Sequence, residues 1–400
     1  MLMDGLPAWR AHAVTYYSTI PPESPGQRVQ LFVAEFDGTR PGHPPKPVLM
    51  LHGRSVPALP VFDLGGTSPT RDYSWAQYLM RAGFDVFVMD LLGSGLSPRP
   101  MMDDPCNAAP SPPTPAQGGD QKKLIPNPLD AECPVKYPYQ LYNTDSEVAQ
   151  VKTVVEYIIN LRGVSSVALV SYSAGAFTLG PFTLRHPEYV KSLLLCAPIF
   201  PPQGRSAAPP SPWPGWPMNV STRSDLFEPW NKELHTDIQR DDAILDLAWA
   251  QIMSNDLVGL TWGGAIKDQP EGVIRWRNSL WWGWNTAAVG QPGILGDRVP
   301  VLIMYGHYDT QITKPAAPPA PAFSVRALYD AIPGPRKISI KFDDAGHYLP
   351  WERIAPRLLH RVSSEWLEMA AVNSPIVSLT SDRWSVGWDG IFWPEDWPFI

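Results

Sequence analysis

No run in this sequence approaches the about 18 apolar residues that a membrane-spanning helix needs, so no transmembrane segment is expected. Met1 to Val14 lacks a charged segment followed by an apolar run, and no signal peptide is read there. Basic clusters are also missing. The net charge is −7 and no run of five like charges occurs, which speaks against nucleic-acid binding because that requires a basic face. Cysteine is scarce, and Cys106, Cys133 and Cys196 are too few for a disulfide framework. Cys106 and Cys133 bracket one loop and could pair, but in a cytosolic protein two reduced thiols are the expected state. The cysteines lack metal-ligand spacing, no zinc-type histidine–glutamate motif is present, and no Gly-x-Gly-x-x-Gly follows a strand. Neither a metal nor an organic cofactor is therefore expected. The chain reads as a soluble, cytoplasmic protein acting on a small molecule, and a homo-oligomer stays open.

Proline and tryptophan are what the chain has in abundance. Proline makes up 47 of the 400 residues, about twice the usual ~5%. Each ring removes a backbone donor and stops a helix, so long ordered loops are implied. An apolar fraction of 44% and 17 tryptophans argue for a buried core rather than a disordered chain.

Apolar strand-like runs alternate with helical patterns. Strands are expected at Val29–Phe36, Pro47–Leu51, Phe84–Leu91, Ser166–Val170, Val190–Cys196, Val299–Tyr305 and Lys337–Phe342. Helices are expected at Ser74–Ala82, Asp145–Leu161 (capped by Asp145 or Ser146), Ala174–Leu184, Phe323–Ile332 and Ala355–Ala371. This alternation predicts an α/β fold, a mostly parallel sheet with helices on both faces. Three segments break the rhythm. Residues 98–139 are rich in Pro, Asp, Asn and Gly. Residues 200–297 far exceed an ordinary connection, and helices are read there at Asp241–Asn255 and Glu271–Trp284. The tail, residues 373–400, carries Trp384, Trp388, Trp393 and Trp397, and docking on the body is expected because four solvated indoles would be costly. The domain reading is thus a core formed by 1–199 and 298–372, a segment 200–297 laid over it, and the tail.

Strand 167–170 runs into Ser171-Tyr172-Ser173-Ala174-Gly175, and a helix follows at once. This is the small-x-Ser-x-Gly pattern of a nucleophile elbow: the turn is so tight that the serine takes strained dihedrals and its neighbours must be small. A serine hydroxyl needs a base. Of the eight histidines, His347 stands just past the last strand in Asp343-Asp344-Ala345-Gly346-His347. His52 follows an earlier strand, and His307 is a rival beside Asp309. His43, His186, His235 and His360 have no strand end near them, and His12 lies too close to the N-terminus to place. The order Ser…Asp…His selects Asp309, after strand 299–305, to orient His347. The loop His52-Gly53-Arg54-Ser55 would aim the Arg54 amide at an oxyanion, with the Ala174 amide as second donor.

These residues resemble the α/β-hydrolase superfamily. The match consists of His52-Gly53 after the third strand, Asp90-Leu91-Leu92-Gly93-Ser94-Gly95-Leu96-Ser97 after the fourth, Ser173 in its elbow, Asp309 after the seventh and His347 after the eighth. The resemblance implies an α/β-hydrolase fold with an eight-stranded sheet, a helical cap over the active site formed by 200–297 after the sixth strand, and a turn held by Asp90. Serine rather than aspartate at the elbow implies acyl chemistry: a hydrophobic carboxylic ester or lactone hydrolysed through an acyl-enzyme. A carbon–carbon bond hydrolase and an acyl-CoA thioesterase of the same family share the three residues, and a non-catalytic ligand-binding protein is the alternative from another class. Tyr172, Ser55, Trp276, Trp281 and Trp282 are the candidate substrate contacts. The tryptophans at 276–284 are too dense for a single helical face, so they line either a pocket or a core of their own.

Overall fold

The computed structural model describes residues 9–18, 26–65, 73–111, 119–209, 212–266, 269–312, 322–371 and 383–395. Its centre is a ten-stranded sheet built from β1 (Arg10–Tyr17), β2 (Arg28–Phe36), β3 (Pro47–Leu51), β4 (Asp85–Met89), β5 (Val167–Tyr172), β6 (Val190–Cys196), β7 (Val301–Gly306), β8 (Lys337–Phe342), β9 (Arg383–Val386) and β10 (Phe392–Pro394). The spatial order is β1-β2-β4-β3-β5-β6-β7-β8-β9-β10. β4 to β9 run parallel, and β1, β2 and β10 are antiparallel to their neighbours.

The inner strands are apolar throughout because both faces are covered. Leu49 and Leu51 point to one cluster, with Val148, Val151, Val154 and Leu179. Val48 and Met50 point to the other, with Trp75, Leu79, Trp366 and Leu367. Helices α3 (Thr144–Arg162) and α4 (Ala176–Arg185) supply the first set. Helices α2 (Trp75–Arg81) and α9 (His360–Ala371) supply the second, which the short α1 (Ala58–Phe62) joins, while α7 (Thr286–Val289) and α8 (Val325–Ala331) pack with the first. α3 starts one residue earlier than the pattern predicts. Asn143, not Asp145 or Ser146, is its N-cap, and Asn143 and Ser146 satisfy each other's backbone N–H groups, an arrangement that stabilises a helix by about 1 kcal/mol.

The sheet has ten strands against the eight that the resemblance implies, and three of them, β1, β9 and β10, lie outside the seven segments read as strands. β1 pairs along its whole length with β2. It was not legible as a strand because it is an edge, and Arg10, Ala11, Ala13 and Tyr17 are exposed on it. β9 pairs with β8 from Ser339↔Arg383 to Phe342↔Val386, and β10 folds back on it. Residues 383–395 of the tail therefore extend the sheet, with Trp384 and Trp393 half-buried and Trp388 exposed. Trp397 lies outside the described residues.

The helix expected at Glu271–Trp284 is instead extended chain. Ile274–Arg277 pairs antiparallel with Met218–Ser221, and Ser279–Leu280 pairs with Tyr142–Asn143. Gly272 and Gly283, at φ 89° and 72°, bracket this run, and the alternation in Ile-Arg-Trp-Arg suits a strand better than a helix. The second helix read in this region is present as α6 (Ala243–Ser254), after α5 (Arg223–Asn231).

Residues 98–139 are held by side-chain-to-backbone bonds rather than by a periodic apolar face. Buried Gln121 donates to the carbonyls of Cys106, Ala108 and Cys133 and accepts the Cys133 N–H. Cys106 and Cys133 are joined in a disulfide, Cα atoms 5.5 Å apart, which corrects the expectation of two reduced thiols; Cys196 is free and buried. Lys123 pairs with Asp225, and Asp120 accepts the Val220 N–H, so this loop is docked on segment 212–266. Among the described residues no helix is long and apolar enough to cross a membrane.

Candidate active site

The ends of β3, β5, β7 and β8 converge above the sheet. At the end of β5, Ser173 has φ 53°, one of three positive values outside glycine among the described residues. This conformation is strained for a residue with a Cβ, and strain of this kind persists only where the surroundings enforce it. The neighbours explain how the turn is accommodated. A Cβ on Gly53 would lie 3.1 Å from Ser173 Cβ, and one on Gly175 would lie 2.7 Å from the His52 carbonyl oxygen.

Ser173 Oγ lies 2.9 Å from His347 Nε2, and His347 Nδ1 lies 2.7 Å from Asp309 Oδ2. All three side chains are buried. With Nδ1–H donated to the carboxylate, Nε2 is left as the acceptor facing the serine. Asp309 is held in turn by the Gln311 N–H on Oδ1, at 2.9 Å. Burial alone would make His347 harder to protonate, but the adjacent Asp309 carboxylate, helped by Glu233, outweighs it and raises the imidazole above its ordinary value.

Two carboxylates that the sequence did not single out hold this histidine. Glu233, just past α5, accepts the His347 backbone N–H at 2.7 Å, and its other oxygen accepts the Thr310 N–H and hydroxyl, each at 2.7 Å. It therefore ties the loop after β8 to the loop after β7. Glu352 accepts from Gly346 N–H, Trp230 Nε1 and Gln239 Nε2, and burial pushes its carboxyl up to about 8. No motif marks either glutamate; the one sequence signal was an acidic residue five positions after His347.

The two other histidines that follow strand ends, His307 and His52, lie outside this chain of bonds. His307 is exposed and packs on Tyr308, so it does not share Asp309. His52 is fully buried. Its Nδ1–H donates to the Gly53 carbonyl and its Nε2 accepts the Leu91 N–H at 3.3 Å, with burial holding the ring neutral. Asp90 accepts the Ala58 and Leu96 N–H groups and so fixes the turn after β4.

Above Ser173 lies a cavity of about 530 Å³ lined by Arg54, Ser173, Ala174, Phe177, Ile199, Pro201, Gly204, Arg205, Ser279, Leu280, Trp281, Gln311 and Phe323. Arg54 follows Gly53 directly, and its backbone N–H has no hydrogen-bond partner among the described residues. Ala174 is the second residue of the turn Ser173–Gly175, where N–H groups have no partner within the helix. Of the expected substrate contacts, Trp281 alone reaches the cavity. It stacks on Phe177, ring centroids 4.6 Å apart, and donates its Nε1–H to Glu147. Trp282 is buried beside Pro181 and Leu184 on another face. Tyr172 is buried against the His347 ring and donates its hydroxyl to the His347 carbonyl, so it braces the histidine. Trp276 stacks under the Arg54 guanidinium at 4.9 Å and donates to Ser221. Ser55 is half-buried and does not line the cavity.

Trp281 is placed by a buried polar node. Glu147 on α3 pairs with Arg277 at 2.8 Å and also accepts from Thr178, Ser279 and Trp281. Burial would raise this carboxyl, but Arg277 and the hydroxyl donors outweigh it and hold it below its ordinary value.

The family model described as the alpha/beta hydrolase fold matches residues 46–354. Similar solved structures include a thermophilic esterase from Thermogutta terrifontis, 16% identical, covering 90% of this chain and 99% of that one at a TM-score of 0.47. A thioesterase domain from the curacin biosynthetic pathway is 14% identical, with coverage of 90% and 99% and a TM-score of 0.47. A serine hydrolase involved in carbazole degradation is 15% identical, with coverage of 90% and 99% and a TM-score of 0.49. No curated protein matches the chain at a significant level.

Proposed function

The chain belongs to the α/β-hydrolase family, and from that premise we propose that it is a serine hydrolase that cleaves a carboxylic ester through an acyl-enzyme, with Ser173 as nucleophile, His347 as base and Asp309 as the residue that orients the base. The observation that carries this reading is the unbroken chain Ser173 Oγ to His347 Nε2 to Asp309, at 2.9 and 2.7 Å, opening on a cavity. His347 Nε2 takes the Ser173 proton as Oγ attacks the acyl carbon. The carbonyl oxygen becomes an oxyanion that the Arg54 and Ala174 N–H groups stabilise. On collapse, His347 returns the proton to the departing alcohol, leaving the acyl group on Ser173. A water, deprotonated by the same nitrogen, then releases the acid.

Segment 200–297 is proposed to act as the cap, because Arg205, Ser279, Leu280 and Trp281 from it line the cavity. Phe177, Ile199, Leu280, Trp281 and Phe323 make most of the wall apolar, which suits a hydrophobic body on the substrate. Labelling with a fluorophosphonate and mapping the adduct tests the assignment. The adduct is expected on Ser173 and absent from Ser173→Ala; a Ser173→Ala protein that still labels refutes it. A panel of short-chain, long-chain and aromatic esters tests the reaction, and cleavage of a vinylogous diketone without turnover of any ester would move the enzyme to carbon–carbon bond hydrolysis.

A further inference from the structure

The cavity over Ser173 carries two guanidinium groups, Arg54 and Arg205, and no acidic side chain among its described lining residues. This runs against the composition of the chain, which has 39 acidic residues to 32 basic ones. Arg54 and Arg205 are exposed to solvent, and neither forms an ion pair with a carboxylate among the described residues, so both guanidinium groups stay available to a ligand. The Arg54 guanidinium lies over the Trp276 ring at 4.9 Å, and that of Arg205 lies over Trp213 at 5.4 Å. Stacking on an indole fixes the plane of the guanidinium while leaving its N–H edges free for a planar, bidentate acceptor.

Solvent reaches the Arg54 side chain, so an incoming anion can meet it. Its charge opposes protonation of His347, which must become imidazolium during catalysis. An anion beside Arg54 would relieve that opposition. Resting on the serine-hydrolase reading above, we infer that the substrate is an acidic ester, one that carries a free carboxylate which Arg54 binds close to the reacting carbon, with Arg205 as the second guanidinium of the lining that attracts it. The notion of a wholly hydrophobic ester is thereby narrowed to an apolar body with one anionic end.

The test compares matched p-nitrophenyl esters on the full chain: the monoesters of succinic, glutaric and adipic acid against the neutral butanoate, pentanoate and hexanoate. At least one acidic ester is expected to exceed its neutral partner in kcat/KM by 10-fold or more, mainly through KM, and the preference should shrink with added salt. In Arg54→Gln the acidic-to-neutral ratio should fall at least 10-fold, and Arg54→Lys should restore part of it. Arg205→Gln should lower the ratio for at least one of the three acids. A ratio near one in the wild-type protein, or a ratio that Arg54→Gln leaves unchanged, overturns the inference. Calorimetric binding of the same esters to Ser173→Ala, with and without Arg54→Gln, reads the inference without turnover. Equal binding of acidic and neutral esters there overturns it even if Ser173 labels, whereas acid-selective binding with no labelling of Ser173 in the wild-type protein would uphold it and sink the catalytic reading instead.

Discussion

Replacing Glu233 by glutamine tests whether the histidine is held from behind as the geometry implies. The carboxylate accepts three hydrogens, from the His347 N–H, the Thr310 N–H and the Thr310 hydroxyl, each at 2.7 Å. Glutamine has the same shape but one acceptor oxygen fewer, so in either orientation its NH₂ faces a backbone N–H. A buried donor left without its acceptor costs about 1–3 kcal/mol. Glu233 is itself raised by burial and by the Asp309 charge, so removing its charge relieves part of that cost. The net loss of stability is therefore expected near 1 kcal/mol, a fall in melting temperature of about 2–4 °C or less for a chain of this size. If the same loss falls on the placement of the imidazole, the rate drops by about fivefold. The second consequence has a definite sign. Glu233 is one of the charges that raise His347, so without it the imidazole loses its proton at lower pH and the acid limb of kcat/KM shifts down. Fluorophosphonate labelling of Ser173 followed against pH reads both effects without a known substrate. An acid limb that stays in place, with a labelling rate within twofold of wild type, would refute the reasoning.

Asp309→Asn removes the acceptor that sets the His347 tautomer, and the labelling rate is expected to fall by about 10⁴; a fall of under tenfold would mean another group orients the ring. In the intact protein the acid limb should lie above pH 6.5, because His347 is raised, net of burial, by Asp309; a limb below that value, followed by labelling, contradicts the charge balance. Arg277→Met strands the buried Glu147 carboxylate and is expected to destabilise by about 3–5 kcal/mol near neutral pH. Glu147 is held below its ordinary value in the intact protein, so its pair with Arg277 contributes stability above about pH 4.5 that is lost as pH falls further. The gap in melting temperature between the two proteins should accordingly narrow in acid, and a gap independent of pH would argue against the ion pair as its source. Thiol titration of the denatured, unreduced protein should count one free cysteine, Cys196, since Cys106 and Cys133 are bridged. Reduction should then destabilise the protein by about 3–4 kcal/mol on the loop-closure model, and three free thiols before reduction would contradict the bridge.

Much of the core was legible because its signals are local. Continuous apolar runs such as Val48 to Leu51 mark strands covered on both faces, and the valine stripe of α3 marks one helical face. The edge strand β1 was missed because an edge is exposed and loses the apolar pattern. The strand at Ile274–Arg277 was read as helix because four residues are too few to separate the two periods, and its antiparallel partner Met218–Ser221 lies far away in sequence. Among the candidate substrate contacts, Trp281 and Trp282 are adjacent in the chain yet face different cavities. Composition cannot separate them; the direction of one extended segment does.

The sequence by itself determined the parallel α/β sheet, the strand-to-helix turn at Ser173, and the order in which serine, aspartate and histidine follow strand ends. Each of these is written in a few contiguous residues, where propensity, glycine placement and periodicity act. Tertiary structure alone decided which groups stand behind and around them. Glu233 reaches His347 across 114 residues, Cys106 meets Cys133 through the bonds of Gln121, and Arg205 joins Arg54 over one serine. Such partners are chosen by which loop ends meet above the sheet. A single buried hydrogen bond or ion pair made there leaves no periodic trace along the chain.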